Sequence, residues 1–242
     1  MAKLSVNLNK IALLRNQRDI NIPSVSATAE TCIHAGAYGI TVHPRPDERH
    51  IRYSDVYELA QMLTVEFNIE GNPFTGKYTN LVCEVKPHQA TLVPDSPTAI
   101  TSDHGWNLDA DAERLSPVIK KFKDLGIRVS LFVDPDISTI AKAKQIGADR
   151  VELYTEPYAK AFAQNKNLEE TLAKFVKAGA AANDASLGLN AGHDLNLKNL
   201  GLFCKNVKNI LEVSIGHALI ADALDMGLNN AVKEYKKILS EI

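Results

Sequence analysis

Short apolar runs alternate along the chain with longer stretches in which apolar residues recur at helical spacing. A turn signal follows each short run before the helical stretch begins. This alternation predicts eight β-strands, each followed by at least one helix. The predicted strands span residues 4–8, 39–43, 64–69, 90–93, 129–133, 151–154, 186–190 and 213–215.

Start and stop signals predict helices over residues 54–63, 75–85, 112–125 and 137–146. Pro117 is unfavourable inside a helix, so it predicts a late start for the third of these. Residues 10–30 and 156–183 are longer than one helix requires, and we expect extra helices there. The C-terminal residues 231–242 predict an amphipathic closing helix with Val232, Tyr235 and Leu239 on one face.

The predicted strands are apolar nearly throughout, as in VSLFV at residues 129–133. Such strands are typical of a parallel sheet that is covered on both faces. Eight strand–helix units in 242 residues predict a closed TIM (β/α)8 barrel with extra helices. An open doubly wound sheet is the alternative. Since no linker or change of composition interrupts the chain, we expect a single barrel domain over residues 1–242.

Composition narrows the possible partners and compartment. The 27 Lys and Arg residues are balanced by 29 Asp and Glu residues, so the basic excess typical of nucleic-acid binding is missing. The three cysteines lie far apart and form no C-x-x-C pair, which predicts neither a disulfide framework nor a zinc site. The N-terminal residues lack the apolar core and the small-residue cleavage site of a leader peptide, and no stretch reaches about 18 apolar residues. We therefore expect a cytoplasmic protein that binds neither nucleic acid nor membranes.

Polar residues cluster where predicted strands end, which is where a barrel of this type carries its reactive groups. They are Asn7, Asn9, His43, Arg45, Glu70, Glu152, His193 and His217. Any one of them has an alternative interpretation as a solvated loop residue or a paired polar group of the core. Ionisable groups at five separate strands nevertheless predict a shared pocket that transfers protons.

Several basic residues predict an anion site at the same end of the barrel. The segment HPRPDERH at residues 43–50 contains two arginines and two histidines, and Arg15 and Arg18 follow the first strand. Arginine binds phosphate or carboxylate in a bidentate manner, and the turn at Gly216 precedes a helix whose N–H groups suit an anion. The alternative is a solvated loop in which Asp47 and Glu48 pair with the arginines. A metal site is not expected, because the arginines would repel a dication.

Four segments together identify a family resemblance: VNLNKIALLRNQR, GITVHPRPDERHI, LNAGHDLNLKNL and SIGHALIADAL. In these segments, and in their order and spacing, the chain resembles the pyridoxine 5′-phosphate synthase family of the deoxyxylulose-phosphate-dependent vitamin B6 pathway. The resemblance extends from about residue 6 to the C-terminal helix. It implies a (β/α)8 barrel with added helices, usually assembled as a homo-octamer.

The resemblance also implies an activity. Family members condense 3-amino-2-oxopropyl phosphate with 1-deoxy-D-xylulose 5-phosphate to give pyridoxine 5′-phosphate, inorganic phosphate and water, without a cofactor or a metal. The matching motifs imply that His43 and Glu70 accept protons, that His193 donates one and that Glu152 assists. They assign substrate binding to Asn7, Arg18, Arg45, His50 and Thr101, and phosphate binding to Gly216 and His217.

Two positions depart from the family pattern. Many members have N-x-D-H after the first strand, where this chain has Asn7-Leu8-Asn9-Lys10. Asn9 and Lys10 still offer hydrogen-bonding groups, so both are predicted to contact substrate. A G-H-G pattern is here Gly192-His193-Asp194. Asp194 is thus a candidate substrate-binding position, but its carboxylate would repel a phosphate, so we expect it to turn outward or to cap the next helix.

Two other functions remain open from the sequence. A non-catalytic phosphosugar-binding or regulatory barrel would keep the arginines without turning substrate over. Another phosphate-handling barrel enzyme, such as an aldolase or epimerase, would use the same anion site. A Schiff-base aldolase would form an imine at Lys10 that borohydride traps.

Overall fold

The computed structural model describes all 242 residues as eight parallel strands surrounded by eleven helices. The strands are β1 (Lys3–Asn7), β2 (Gly39–Val42), β3 (Glu66–Gly71), β4 (Gln89–Leu92), β5 (Arg128–Val133), β6 (Arg150–Leu153), β7 (Gly188–Gly192) and β8 (Ile210–Ile215). Each strand pairs with the next along the chain, and β8 pairs with β1 to close the barrel. The predicted TIM-barrel class is confirmed, and the open-sheet alternative is wrong.

The helices include the extra ones that the long connections predicted. They are α1 (Asn9–Arg15), α2 (Val25–His34), α3 (Tyr53–Met62), α4 (Tyr78–Val85), α5 (Leu108–Asp124), α6 (Ile137–Gln145), α7 (Glu156–Gln164), α8 (Leu168–Asp184), α9 (Leu200–Asn206), α10 (His217–Met226) and α11 (Leu228–Ser240). The pairs α1/α2 and α7/α8 fill the two long connections. None of the helices has both the length and the apolar character that a membrane span requires.

Pro117 does not delay the start of its helix, so that prediction was wrong. Helix α5 begins at Leu108, after Asn107, whose side chain accepts a hydrogen bond from the backbone N–H of Asp109 at 3.1 Å. Proline removes the bond to the carbonyl four residues back, that of Glu113. Both Pro117 and Glu113 are exposed, so water can satisfy this carbonyl and the helix continues through the proline.

Helix α4 starts three residues later than predicted, at Tyr78. The preceding segment is held as a turn by Asn72, whose side-chain oxygen accepts from the N–H of Phe74 at 2.9 Å. The carbonyl of Asn72 also accepts from the N–H of Thr75 at 3.2 Å. Asparagine side chains favour such turns over helix, which explains the shift.

The apolar core lies between the barrel and its helices. It is one cluster of 55 buried residues, which includes strand residues such as Ile40 and Val42 and the predicted α11 face of Val232, Tyr235 and Leu239. Burial of this shell explains why the strands are rich in apolar residues. It also anchors the strands rigidly, so that their C-terminal ends can position side chains.

The inside of the barrel is polar, which the apolar strand pattern did not predict. Ser5 on β1 and Thr41 on β2 share a hydrogen bond of 2.7 Å, and Asn68 on β3 accepts from Thr91 on β4 at 3.0 Å. Such positions usually hold bulky branched residues. Here these buried polar groups hydrogen-bond to one another, and charged residues lie at both ends of the barrel, as in the pair of Arg150 at the start of β6 with Glu212 on β8.

Candidate active site

A cavity of about 320 Å³ opens at the C-terminal rim of the barrel. It is formed by residues in or just after all eight strands, which is the usual place for an active site in this fold. Thirteen of its lining residues are sequence-predicted site residues: Asn7, Asn9, Lys10, His43, Arg45, His50, Glu70, Thr101, Glu152, His193, Asp194, Gly216 and His217. The five others are Val93, Ile100, Ser102, Phe132 and Ser214.

Two asparagines organise the side of the cavity formed by β1 to β3. The Asn7 side-chain amide donates to Glu70 Oε2 at 3.2 Å, and Asn7 Oδ1 accepts from the N–H of Asn9 at 2.9 Å. Asn9 Oδ1 accepts from the N–H of His43 at 2.9 Å. Asn9 therefore holds the backbone of the His43 loop in place.

The surroundings of the two glutamates in the cavity favour their protonated forms. Burial raises the pKa of Glu70 to about 7, although the nearby His193 opposes the shift. Burial also raises the pKa of Glu152 well above its usual range, and the proximity of Glu70 and Glu212 adds to this effect. Oε2 of Glu152 has no hydrogen-bond partner within the protein. At neutral pH, Glu70 can thus exchange a proton and Glu152 can remain a neutral donor.

The two histidines of the β2 loop are held neutral. Burial, followed by the charge of Arg45, lowers the pKa of His43 well below its usual range. The same two causes lower the pKa of His50 to about 4. Nδ1 of His50 accepts a hydrogen bond from the N–H of Ile51 at 2.9 Å, which requires that nitrogen to be unprotonated. A neutral His43 in the cavity is able to accept a proton.

His193 has the opposite electrostatic setting. Its Nε2 lies 2.8 Å from Thr101 Oγ1, and its Nδ1 lies 2.7 Å from Asp194 Oδ2. Burial alone would lower the pKa of His193, but the hydrogen bond and charge of Asp194, with the charges of Glu70 and Asp95, outweigh burial and raise it. The cavity therefore contains one histidine that favours its neutral form and one that favours its cationic form.

Asp194 does not turn outward or cap the next helix, so that expectation was wrong. Its side chain lines the cavity and contacts the imidazole beside it. The cap of the following turn is supplied instead by Asn196, whose Oδ1 accepts from the N–H groups of Lys198 and Asn199. The adjacent imidazole offers an N–H donor to the Asp194 carboxylate, and charge attraction favours this orientation.

Arg45 is paired with an aspartate that the sequence prediction did not include. Its NH2 lies 2.5 Å from Oδ2 of Asp95, and both side chains are buried. Ser102 donates to the same oxygen at 2.8 Å. Nε of Arg45 has no partner within the protein. Asp95 thus fixes one end of the guanidinium, while the other N–H groups can bind an anion at the cavity.

Arg15 and Arg18 do not reach the cavity. Arg18 is exposed in the segment after α1 and is not among the lining residues. Arg15 is buried and pairs with Asp55 at 2.5 Å, and it also donates to the carbonyl of His50 at 3.0 Å. Arg15 therefore stabilises the loop that carries His50 instead of binding an anion.

We expect Arg15→Leu to lower the stability of the protein by about 3–5 kcal/mol, because the variant leaves Asp55 buried without its charge partner. Urea unfolding followed by circular dichroism measures the loss. Arg114→Leu serves as the control, since the ion pair of Arg114 with Asp111 is more exposed and should contribute about 1 kcal/mol or less. Equal stabilities for the two variants would contradict the structural role of Arg15.

The turn after β8 supplies the anion-binding end of a helix. Gly216 precedes α10, which runs from His217 to Met226. A Cβ at Gly216 would lie 3.1 Å from Cβ of Asn7, so a larger residue would crowd the side chain that contacts Glu70. The free N–H groups at the start of α10 face the cavity rim and suit a phosphate group.

The residues that sequence reasoning missed have weak local signals. Ser102 is adjacent to the predicted Thr101, and Phe132 occurs near the end of the strand VSLFV. Ile100 lines the cavity although 88% of its surface is exposed. Asp95 follows β4 by three residues, so its position after a strand end is a signal that could have identified it as a site residue.

The chain is similar to known proteins over nearly its whole length. Residues 4–241 match the family described as pyridoxal phosphate biosynthesis protein PdxJ. A pyridoxine 5′-phosphate synthase of Bacteroides fragilis is 55% identical over 99% of this chain and 100% of its own length. One from Cytophaga hutchinsonii is 52% identical over the whole of both chains. The solved structure of phosphoribosyl anthranilate isomerase from Thermotoga maritima superposes on this chain over the full length of both, with a TM-score of 0.63 and 14% identity. This similarity shows a shared barrel fold.

Proposed function

Because the chain belongs to the PdxJ family of pyridoxal phosphate biosynthesis proteins, we infer that it is an enzyme that forms pyridoxine 5′-phosphate and that the reaction occurs in the rim cavity. Its substrates are phosphorylated small molecules, 3-amino-2-oxopropyl phosphate and 1-deoxy-D-xylulose 5-phosphate. Condensation gives pyridoxine 5′-phosphate, inorganic phosphate and water. The ring closure requires imine formation, dehydrations and a carbon–carbon bond, and each of these steps moves protons.

The observation that carries this assignment is the set of proton-transfer groups gathered in one cavity. Glu70 has a pKa of about 7, His43 favours the neutral form and His193 favours the cationic form. We propose that Glu70 and His43 accept protons and that His193 donates one. Each positioned transfer typically contributes about 10² to 10⁴ in rate.

Glu152 is proposed to support the reaction from the floor of the cavity. It is buried, its pKa is raised, and its Oε2 has no partner in the protein. A neutral carboxyl group there can donate a hydrogen bond to a substrate oxygen without placing a second negative charge beside Glu70. This charge state is compatible with substrates that are themselves anionic.

Binding of the phosphorylated substrates is proposed for the cationic and N–H-rich parts of the rim. Gly216 and His217 at the start of α10 suit one phosphate. Arg45, with His50 and Lys10, offers donors to the other substrate, and Thr101 can contact it from the β4 loop. The substrate amine supplies the nitrogen for the imine, so the protein does not need a lysine for this step.

Incubation of the purified protein with both substrates tests the assignment. We expect pyridoxine 5′-phosphate to appear together with inorganic phosphate, measured by chromatography and a phosphate assay. Binding of either substrate without product would instead indicate a non-catalytic barrel. A lysine adduct trapped at Lys10 by borohydride would indicate an aldolase and would also contradict the proposal.

Arg45→Lys is expected to raise the KM for a phosphorylated substrate by roughly tenfold, or about 1.4 kcal/mol. Lysine keeps the charge, but it cannot contact Asp95 and an anion with separate N–H groups of a planar fork. Steady-state kinetics for each substrate measures the change. Arg114→Lys, in a more exposed ion pair, is the control. An unchanged KM for both substrates would remove Arg45 from the binding site.

We also propose that the chain works in the cytoplasm as a homo-octamer, as the family resemblance implies. Large apolar side chains on α1, α10 and the α1–α2 connection support an assembly, because Leu14, Ile20, Ile22 and Leu224 are 54–80% exposed in the single chain. Light scattering coupled to size-exclusion chromatography tests the subunit number. A monomer at micromolar concentration would contradict the octamer.

A further inference from the structure

The imidazole of His193 is held at both of its nitrogens. Nδ1 lies 2.7 Å from Asp194 Oδ2, and Nε2 lies 2.8 Å from Thr101 Oγ1. The second contact joins residues 92 positions apart and connects the β4 loop to the β7 loop. Since a carboxylate oxygen only accepts, Nδ1 must carry a hydrogen for the contact with Asp194 to form. Nε2 is therefore the nitrogen that gains and loses the titrating proton.

The backbone around this pair is fixed in an uncommon conformation. His193 has φ of 46°, in the left-handed region that few residues other than glycine adopt. Its N–H donates to the carbonyl of Ser214 on β8 at 3.0 Å. The N–H of Asp194 donates to Thr155 Oγ1 at 3.4 Å, and Asn199 donates to the Asp194 carbonyl at 3.3 Å. Such local strain at a cavity is typical of a functional constraint.

We propose that Asp194 is a positioning residue that fixes the tautomer of His193 and stabilises its imidazolium form, so that Nε2 delivers the proton to the substrate. This inference rests on the proposed function of the cavity. It replaces the prediction that Asp194 binds substrate. The arrangement corresponds to the carboxylate–imidazole pair that other enzymes use to orient a histidine.

Other charged groups face His193 from neighbouring elements, but none of them contacts its ring through a hydrogen bond. Glu70 on β3 and Asp95 after β4 act through their charge and raise the pKa of His193, whereas burial lowers it. His43 after β2 is close enough to be affected by the charge of His193. Tyr154 at the end of β6 packs against the ring, with centroids 6.4 Å apart. Only Asp194 can therefore set both the charge and the tautomer.

The pair also explains how an aspartate is tolerated beside a site for phosphorylated substrates. A lone carboxylate would repel an approaching phosphate. Here its charge is matched by the imidazolium at 2.7 Å, so the pair as a whole is close to neutral. When His193 transfers its proton, the negative charge of Asp194 is no longer balanced, which favours reprotonation of the same ring.

Nitrogen-15 NMR of histidine-labelled full-length protein tests the inference without any turnover. The His193 signal is assigned by its loss in His193→Asn. In the wild type, we expect the neutral ring to carry its hydrogen on Nδ1. Asp194→Asn should lower the pKa of His193 but keep this tautomer, because an amide oxygen still accepts from Nδ1. Asp194→Ala should lower the pKa and lose the tautomer preference. An unchanged pKa and tautomer in Asp194→Ala would overturn the inference.

Kinetics provides a second readout. The donor must be protonated, so lowering the pKa of His193 should move the basic limb of the kcat/KM profile to lower pH in Asp194→Asn and Asp194→Ala. At neutral pH, we expect kcat of Asp194→Ala to fall by about 10- to 100-fold with little change in KM. Asp194→Glu should restore part of the loss. A raised KM with an unchanged pH profile would mean that Asp194 binds substrate, as the sequence had predicted.

The two measurements separate this inference from the proposed function. If the wild-type protein forms no pyridoxine 5′-phosphate but the NMR shifts appear, the pair exists and the assigned reaction is wrong. If product forms normally while the NMR signals of His193 do not respond to Asp194, the reaction stands and the positioning role is wrong.

Discussion

Glu70→Gln is expected to reduce the formation of pyridoxine 5′-phosphate strongly while the protein still folds. Glutamine has the size of glutamate, and its side-chain oxygen can still accept from the Asn7 amide that lies 3.2 Å away from Glu70. The variant therefore keeps the shape of the cavity and removes only the group that takes up a proton. We expect a loss of about 10² to 10⁴ in kcat, as is usual for a general base.

A discontinuous assay of both substrates against purified variants measures this loss. Glu170→Gln is the matched control, because Glu170 lies on α8 in an exposed pair with Lys174 and makes no contact with the cavity. Its activity should equal that of the wild type. Turnover of Glu70→Gln within a factor of two of the wild type would remove Glu70 from the mechanism.

The same variant has a predicted signature in stability that does not depend on turnover. The folded pKa of Glu70, about 7, lies above the ordinary value of 4.5. The folded state therefore binds the proton more tightly, and the stabilisation present below pH 4.5 is lost as pH rises through 7. Glutamine does not titrate. The melting temperature of Glu70→Gln relative to the wild type should thus increase between pH 5 and pH 8, as calorimetry can measure.

Replacement of His193 is the second change with a large expected effect. His193→Ala should reduce product formation by about 10² to 10⁴, because it removes the proposed proton donor. That donor is the imidazole whose two nitrogens contact Thr101 and Asp194. The pKa of His193 is raised by Asp194 and by the charges of Glu70 and Asp95, which favours the cationic form, so the variant lacks its proton donor.

The backbone at this position requires a second variant. His193 has φ of 46°, which alanine adopts only with strain but asparagine tolerates. His193→Asn should therefore melt close to the wild type and still lack activity. His34→Ala is the control, since His34 is exposed at the end of α2, away from the cavity. A fully active His193→Asn would show that the donor is another residue.

The architecture of the barrel was predictable because its signals are local. Each strand is a short run of consecutive apolar residues, because it is buried between the barrel and the helices. All eight strands were located from these runs. The predicted start of α5 was wrong. The helix tolerates Pro117 because Pro117 and Glu113 are exposed, and this exposure depends on how the helix packs.

Most cavity residues were also predictable, for a geometric reason. Parallel strands in a closed barrel all end at one rim, so polar residues that follow different strands must face a common space. This places His43, Glu70 and His193 in one cavity although they are far apart in sequence. Arg18 lies eleven residues after the end of β1 and outside the cavity, because a residue that far from its strand is no longer held at the rim.

The sequence by itself determined the barrel, the rim and the types of chemical group found there. Only the tertiary structure decided which partner each group has: Asp95 for Arg45, Asp55 for Arg15, and Asp194 with Thr101 for His193. The physical reason is that pairing energies depend on distance and desolvation, and folding sets both across separations as long as 92 residues. Burial raises the pKa of Glu70 to about 7, and this burial exists only once the barrel has closed.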